Sequence, residues 1–345
     1  MKVMPSFIRK VVQCLCALCW LAVAAPSPAG ADDFYKGRTI TFIIGTAPGG
    51  GYDTYSRLVA SHLGQQLAGR PAIVPQNMPG AGGIRAANYL YNLAPQDGSV
   101  IGMLDEALYL NQILGTQEIK ADPGKFNWIG RILANSAVLF ARSDAAVQKI
   151  EDAYDKELIV SATGTASKLN WTVLKNALGM KLKIVSGYQG TNDSLLALIR
   201  GEADALSMPW SILRITGAQL LAERKINLLL QTGAEKDPGL PNLPRMVDLA
   251  RNEDERKLLA LFSSPSLIGR SVLAPPGTPP ERVQELRRAF MATLQDARFL
   301  ADLERAKLEL NPLPGAELQA AVAHMGDFPD ALVERARRVS DVIKN

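Results

Sequence analysis

The chain has 345 residues, 47% of them hydrophobic, enough to bury a large core and to fill more than one domain. Its 38 Lys+Arg against 34 Asp+Glu give a formal charge of +4 with no basic run interleaved with aromatics, so no nucleic acid is expected as a partner. All three cysteines, Cys14, Cys16 and Cys19, fall inside the leading apolar run, which leaves the rest of the chain without a disulfide, a thiol nucleophile or a cysteine-held metal.

Lys2, Arg9 and Lys10 precede "VVQCLCALCWLAVAA" and the small-residue site "AGA" at 29 to 31, the pattern of a secretory signal peptide (1–31) cleaved after Ala31. The apolar run is shorter than the roughly twenty residues of a membrane span. Removing its three cations brings the net charge of the mature chain to about +1.

From Thr39 onward, β-branched runs alternate with helical periodicity. "TITFIIG" precedes a helix over Asp53 to Leu67, "PAIVPQ" a helix opening near Ile84, and "GSVIGML" a helix near Glu106. Such βα alternation predicts a mostly parallel sheet. In the first helix Tyr55, Leu58, Val59, Leu63 and Leu67 share one face, and Arg57, Ser61 and Gln65 the other. A second series follows "VLFARSD": "ELIVSATG" leads to a helix over Ser167 to Leu178, "LKIVSGY" to one over Thr191 to Arg200, and "ADALSM" to one near Trp210, before "INLLLQ". "SLIGRSVLAPPGTPPERVQEL" reads as a strand, a turn and a helix started by Pro280. The expected organisation is a discontinuous first α/β domain (32–143 and 263–345) and a second α/β domain (144–262).

Three consecutive glycines in "IGTAPGGGYDTYSRL" suggest a phosphate loop, but Gly51 and Tyr52 stand where the Lys and Ser/Thr of such a loop are needed. "PGAGGIRAA" fails the dinucleotide pattern at Arg85. His62 and His324 are far apart in sequence, no G-x-S-x-G elbow exists, and neither a metal site nor a cofactor nor a catalytic residue is expected. The loops offer something else. Gly49 to Asp53, Gly80 to Gly83, Thr163 to Ser167 and Gly190 to Asp193 each join a strand to a helix start, where unpaired N–H groups at the positive end of the helix dipole favour a small anion. The same residues also serve as ordinary caps and turns. Asp193 in a first turn would repel an anion there, and Trp171 and Trp210 are candidates either for the site wall or for the core.

"APGGGYDTYSRLVASHLGQQL", "NMPGAGGIRAANYLYNLAPQDGSVIG", "VSGYQGTNDSLLALIRGEADA" and "LAPPGTPPERVQELRRAF", in this order, resemble the periplasmic substrate-binding receptors of tripartite tricarboxylate transporters, the Bug or TctC-like family. The resemblance implies an α/β, two-domain periplasmic-binding-protein architecture (type II, Venus flytrap), with the C-terminal segment packed back on the first domain. It implies capture of a small carboxylate and delivery to an integral-membrane permease of one large and one small subunit. The family's ligand positions fall on Thr46, Ala47, Gly49, Gly50, Gly51 and Asp53, on Gly80, Ala81 and Gly82, and on Thr163, Gly164, Thr165, Ser167, Tyr188, Gly190, Thr191 and Asp193. Met78, "GSVIG" and Asn170-Trp171 depart from the commoner patterns. The expectation is a monomeric periplasmic receptor without enzymatic activity. The alternatives are an exported enzyme using Asp53 or Asp193 as base, which lacks a visible partner group, and a sensory protein presenting its closed form to a membrane kinase.

Overall fold

A computed structural model describes residues 34–162, 164–188, 191–325 and 328–340. Two sheets organise the chain. The first contains β1 (Thr39–Ile44), β2 (Ala72–Asn77), β3 (Val100–Met103), β4 (Asn127–Leu133), β10 (Arg270–Ala274) and β11 (Leu313–Pro314), in the order β11-β4-β10-β3-β1-β2. The second contains β5 (Ala137–Arg142), β6 (Leu158–Ala162), β7 (Leu182–Ser186), β8 (Ala205–Pro209) and β9 (Ile226–Gln231), in the order β7-β6-β8-β5-β9.

In the first sheet β1 runs parallel to β2 and β3, while β10 is antiparallel to both β3 and β4. In the second, β6 is parallel to β7 and β8, and β5 is antiparallel to β8 and β9. The βα alternation thus yields the parallel strands, and the antiparallel β5 and β10 follow the two passages of the chain between sheets. β3 and β10 lie inside the first sheet and are buried along their whole length, whereas β2 forms its edge, where Pro75 is tolerated.

Helices cover both faces of each sheet, as strands buried on two sides require. On the first sheet, Tyr55, Val59 and Leu63 of α1 (Gly51–Leu63) pack with Phe290 of α10 (Pro280–Gln295) and Phe299 of α11 (Ala297–Arg305) against Phe42 and Val272. Ala86 and Leu90 of α2 (Ile84–Asn92) and Leu318 and Val322 of α12 (Gly315–Met325) pack with Ile43 and Leu273. On the second sheet, Trp171 and Leu174 of α4 (Gly164–Leu178) join Leu258 of α8 (Glu253–Ser263) over Val160. Leu195 and Leu198 of α5 (Thr191–Ile199) and Leu213 of α6 (Trp210–Thr216) cover Phe140 and Leu206. Of the stripe expected on the first helix, Tyr55, Val59, Leu63 and Leu67 are buried and Leu58 half-buried, with Arg57, Ser61 and Gln65 exposed, and α1 ends at Leu63, short of the expected Leu67, in a 3-10 turn at Gly64–Gln66.

The passage from β4 to β5 changes sheet at residues 134–136, so β5 already belongs to the second sheet, ahead of the boundary expected at residue 144. "AVLFAR" supplies a strand whose Val138 to Ala141 are fully buried there. The C-terminal segment also divides. α10, α11 and α12 lie on the first sheet, but Ala336 of α13 (Asp330–Ser340) enters the core of the second together with Trp171 and Leu258. From there Arg337 Nε reaches across to donate to the Leu114 carbonyl (2.9 Å), at the end of α3 (Ala107–Ile113), whose Leu110 packs in the same core.

Candidate functional site

The in-register pairing Ile44↔Asn77 brings the loops after β1 and β2 side by side. Met78 N–H donates to the Ile44 carbonyl (2.8 Å), and Asn77 Nδ2 donates to the Thr46 carbonyl (3.0 Å) and to Asp53 Oδ1 (2.9 Å). Asp53 Oδ1 also accepts from Arg57 Nε (2.9 Å), and its Oδ2 accepts from Gly49 N–H (2.9 Å). The Arg57 bond first, with help from the Gly49 amide and Asn77 against the opposing effect of burial, pulls the Asp53 carboxyl down to about 2. Asp53 therefore shapes the glycine loop from within, and so acidic a group is a poor proton acceptor at neutral pH.

Ala47, Gly49 and Gly50 are exposed, and a Cβ at Gly49 or Gly50 would meet nothing within 4 Å. Gly50 ends the loop with no side chain capping α1, so the first-turn N–H groups take no bond from the N-cap residue. Gly51 is pressed against Arg270, whose Nη2 would lie 2.6 Å from an added Cβ. Thr46 Oγ1 is buried without a hydrogen-bond partner among the described residues. Gly80, Ala81 and Gly82 are exposed and turn into α2, with Gly83 N–H donating to the Gly80 carbonyl (2.9 Å).

In the second sheet the parallel register Ala162↔Ser186 brings together the connections into α4 and α5. Thr163 and Gly190 lie outside the described residues. Gly164 and Thr165 open α4, and Thr191 opens α5 with Asp193 exposed in its first turn. Tyr188 is half-buried on the connection before α5. Ser167 is buried, and its Oγ has no partner among the described residues.

The C-terminal edges of the two sheets meet at a cavity of about 170 Å³. Glu106 and Ala107, which follow β3, line one side; Ser167 in α4 and Ser207 in β8 line the other; Asn135 and Ser263 stand where the chain crosses. Of the residues expected to bind ligand, Ser167 is on this wall. The glycine loops of the first sheet share with Glu106 the same strand ends, joined through Tyr52 Oη, which accepts from Glu106 N–H (3.3 Å).

Three further residues escape the sequence reading. Glu106 accepts a hydrogen bond from Asn135 Nδ2 through Oε1, while its Oε2 is buried without a partner among the described residues. Burial raises the carboxyl above its ordinary range, opposed by Asn135 and by the charge of Arg270. Asp105 beside it is raised by burial as well. Arg270, 2% exposed, lies over the rings of Tyr52 and Tyr55 (5.5 and 4.9 Å to their centroids), with Nε and Nη1 unpartnered among the described residues. In sequence, "DEAL" reads as the acidic start of a helix and "GRSVLA" as an ordinary strand, so neither signals a buried charge. Trp171 belongs to the core rather than to the wall, at 0% exposure. Trp210 is half-buried and packs with Leu213 and Phe140. His62 is a packing residue, with Nε2 3.0 Å from Asp302 Oδ2 and its ring edge-on to Phe299.

This two-sheet arrangement recurs in solved structures. A TctC solute-binding protein from Polaromonas superposes with a TM-score of 0.64 at 21% identity, covering 87% of this chain and 99% of that one. The periplasmic binding protein BugD gives 0.62 at 22% identity, over 88% and 98%. Rpa4515 of R. palustris, solved with adipate, gives 0.63 at 21% identity, over 88% and 97%. Likeness at this identity establishes the fold: two-domain α/β, of the periplasmic-binding-protein class. In sequence the chain is 27% identical over 300 residues to the UPF0065 protein in the gbd 5' region of Cupriavidus necator, 84% of each. Residues 55–321, from α1 through most of α12, match the profile described as "Tripartite tricarboxylate transporter family receptor". A match spanning both sheets and both crossings makes the assignment plain: the chain belongs to the TctC family of tripartite tricarboxylate transporter receptors.

Proposed function

We propose that this protein is a periplasmic receptor that captures a small organic acid between its two sheets and delivers it to a membrane permease of one large and one small subunit. It is exported by residues 1–31, cleaved after Ala31, and works as a monomer. The lobes divide at 134–136 and at Gly269. The ligand's carboxylate is held by main-chain N–H groups and hydroxyls at the four strand-to-helix connections: Thr46 to Asp53, Gly80 to Gly82, Thr163 to Ser167, and Tyr188 to Asp193.

One observation carries this reading: a cavity between the lobes is lined by Glu106 and Ala107, which follow β3 of the first sheet, by Ser167 and Ser207 after β6 and in β8 of the second, and by Asn135 at the crossing, the carboxyl ends of strands being the position at which open α/β sheets bind ligands. The adipate in the fold neighbour Rpa4515 supports an acid as the ligand class. A single helix end contributes roughly 0.3–1 kcal/mol at the surface and up to about 2 when partly buried. Micromolar affinity, about −8 kcal/mol, therefore requires several ends acting together with water excluded, which means closure of one lobe on the other. Only contacts stronger in the closed form drive that closure. No bond is made or broken in this cycle, and Asp53, held at about 2 by Arg57, is engaged in shaping its own loop.

Thermal-shift and calorimetric titration with dicarboxylates, tricarboxylates, aromatic acids and amino acids tests the reading. The expected outcome is saturable stabilisation by at least one acid, which is recovered chemically unchanged. Release of a product from the stabilising acid, or no response to any acid, would contradict it.

A further inference from the structure

Resting on the organic-acid reading of the cleft, we infer that Arg270 is a positioning residue that sets charge selectivity: packed against the first turn of α1, it supplies the full positive charge that main-chain amides lack and makes the first lobe prefer anions, without itself touching the ligand.

The geometry is specific to this turn. Arg270 opens β10 and is 2% exposed. Its guanidinium lies over the rings of Tyr52 and Tyr55, at 5.5 and 4.9 Å from their centroids. At Gly51 an added Cβ would meet Nη2 at 2.6 Å and Cζ and Nε at 3.3 Å. Only a residue without a side chain lets the cation lie so close to the backbone where α1 begins. At Gly49 and Gly50, just ahead, an added Cβ would meet nothing within 4 Å, so the loop that receives the anion is open where the cation is enclosed.

Packing alone does not call for a charge here. Nε and Nη1 are shut off from solvent with no hydrogen-bond partner among the described residues, a costly state for an ionised group, of which the two tyrosine faces recover a part. Asp105 and Glu106 feel the charge, but burial raises both carboxyls above their ordinary range and Arg270 only opposes that rise. Asp105 accepts instead from Ala107 N–H (2.9 Å), and Glu106 from Asn135 Nδ2. The other cation at this loop, Arg57, is half exposed and bonded to Asp53 at 2.9 Å, so that pair carries no net charge. Arg270 therefore adds a unit charge to the roughly half charge at the start of the helix. At an effective dielectric constant of about 20, two unit charges held about 7 Å apart attract strongly enough to change an affinity by more than tenfold. A neutral ligand gains nothing from that attraction.

The test compares succinate, adipate and benzoate with succinamide, adipamide and benzamide, by calorimetry and thermal unfolding, on the full mature chain and on Arg270→Met and Arg270→Lys. Met fills the space without the charge; Lys keeps the charge without the planar stack. The natural protein should bind at least one acid about tenfold or more tightly than its amide. Arg270→Met should weaken that acid by about tenfold or more at an unchanged or higher melting temperature, since an unpaired buried charge has been removed, and should leave the amide's affinity unaltered. Arg270→Lys should recover most of what Met loses, and Arg270→Gln replaces the Met variant if that one does not fold. Acid binding by Arg270→Met as tight as by the natural protein, or equal losses in the Met and Lys variants, would overturn the inference and leave the organic-acid reading standing. Binding of no acid by the natural protein would overturn both.

Discussion

Asp53 and Gly50 sit three residues apart and divide the work of one loop. Asp53 accepts three donors from its own lobe: the Gly49 amide at Oδ2, and Arg57 and Asn77 at Oδ1, and Asn77 in turn donates to the Thr46 carbonyl. Asp53→Asn should cost about 1–2 kcal/mol at neutral pH, the scale of hydrogen bonds to a charged group. Because the folded-state value of about 2 lies below the unfolded value near 4, this contribution is intact above about pH 4 and is lost as pH falls toward 2. Chemical denaturation at pH 7 and at pH 2 checks the sign: the difference between natural and variant proteins should shrink at the lower pH, and a constant difference would contradict the assignment. Gly50 behaves oppositely. Its φ of −85° and ψ of 174° suit a β-branched residue, and a Cβ there enters open space. Gly50→Val should therefore cost no more than about 1 kcal/mol in stability while obstructing the first turn of α1. Acid binding weakened by at least about tenfold in a protein of nearly unchanged melting temperature is the expected result, measured by paired calorimetry and thermal unfolding.

At the scale of elements, the joints between sheets are short and tightly specified. Gly269 has φ of +49°, and a Cβ there would lie 2.1 Å from the Leu133 carbonyl oxygen, so backbone meets backbone where the returning chain crosses the outgoing one. Asn135 N–H donates to the Ser266 carbonyl (3.2 Å) and Gly233 N–H to Ser136 Oγ (3.1 Å), which ties the two crossing segments to each other and to the loop after β9. Gly269→Ala should destabilise by about 2–4 kcal/mol, read as a shift in the denaturation midpoint; a neutral effect would mean that the crossing strands separate easily. The helix starts at Ile84, Thr191 and Pro280 were legible in the sequence because glycine, threonine and proline punctuate them and apolar spacing follows, whereas the first helix begins at Gly51, two residues ahead of the expected Asp53. The change of sheet at 134–136 was not, since "ILANSAVLF" carries no Pro/Gly break and two buried strands in succession look alike whichever sheet they join. α13 was equally opaque: its alternation of Arg and apolar residues shows a helix, while the core that receives Ala336 is made by α4 and α8, distant in sequence. Among the candidate binding residues, the glycine loops were readable as strand-to-helix connections from composition. Glu106 and Arg270 were not, because burial of a charge depends on what folds over it: Asn135 for the one, Tyr52 and Tyr55 for the other.

For the whole molecule, two α/β lobes are joined at three levels: the paired crossings, α3 with Leu110 in the core of the second sheet, and Arg337 of α13 on the Leu114 carbonyl. An ion pair between Arg214 of α6 and Glu309, ahead of β11, bridges the lobes as well. Arg214 is 54% exposed, so this bridge adds little to stability. The account's central claim is that main-chain hydrogens at helix starts of both lobes hold one acid between them. The most direct measurement is a crystal structure with the acid that stabilises the protein most. It should show a carboxylate oxygen within hydrogen-bond distance of a first-turn amide of α1 or of α4, with residues of the opposite lobe closed on the same molecule; an acid bound on one lobe alone, or away from these helix starts, would contradict the account.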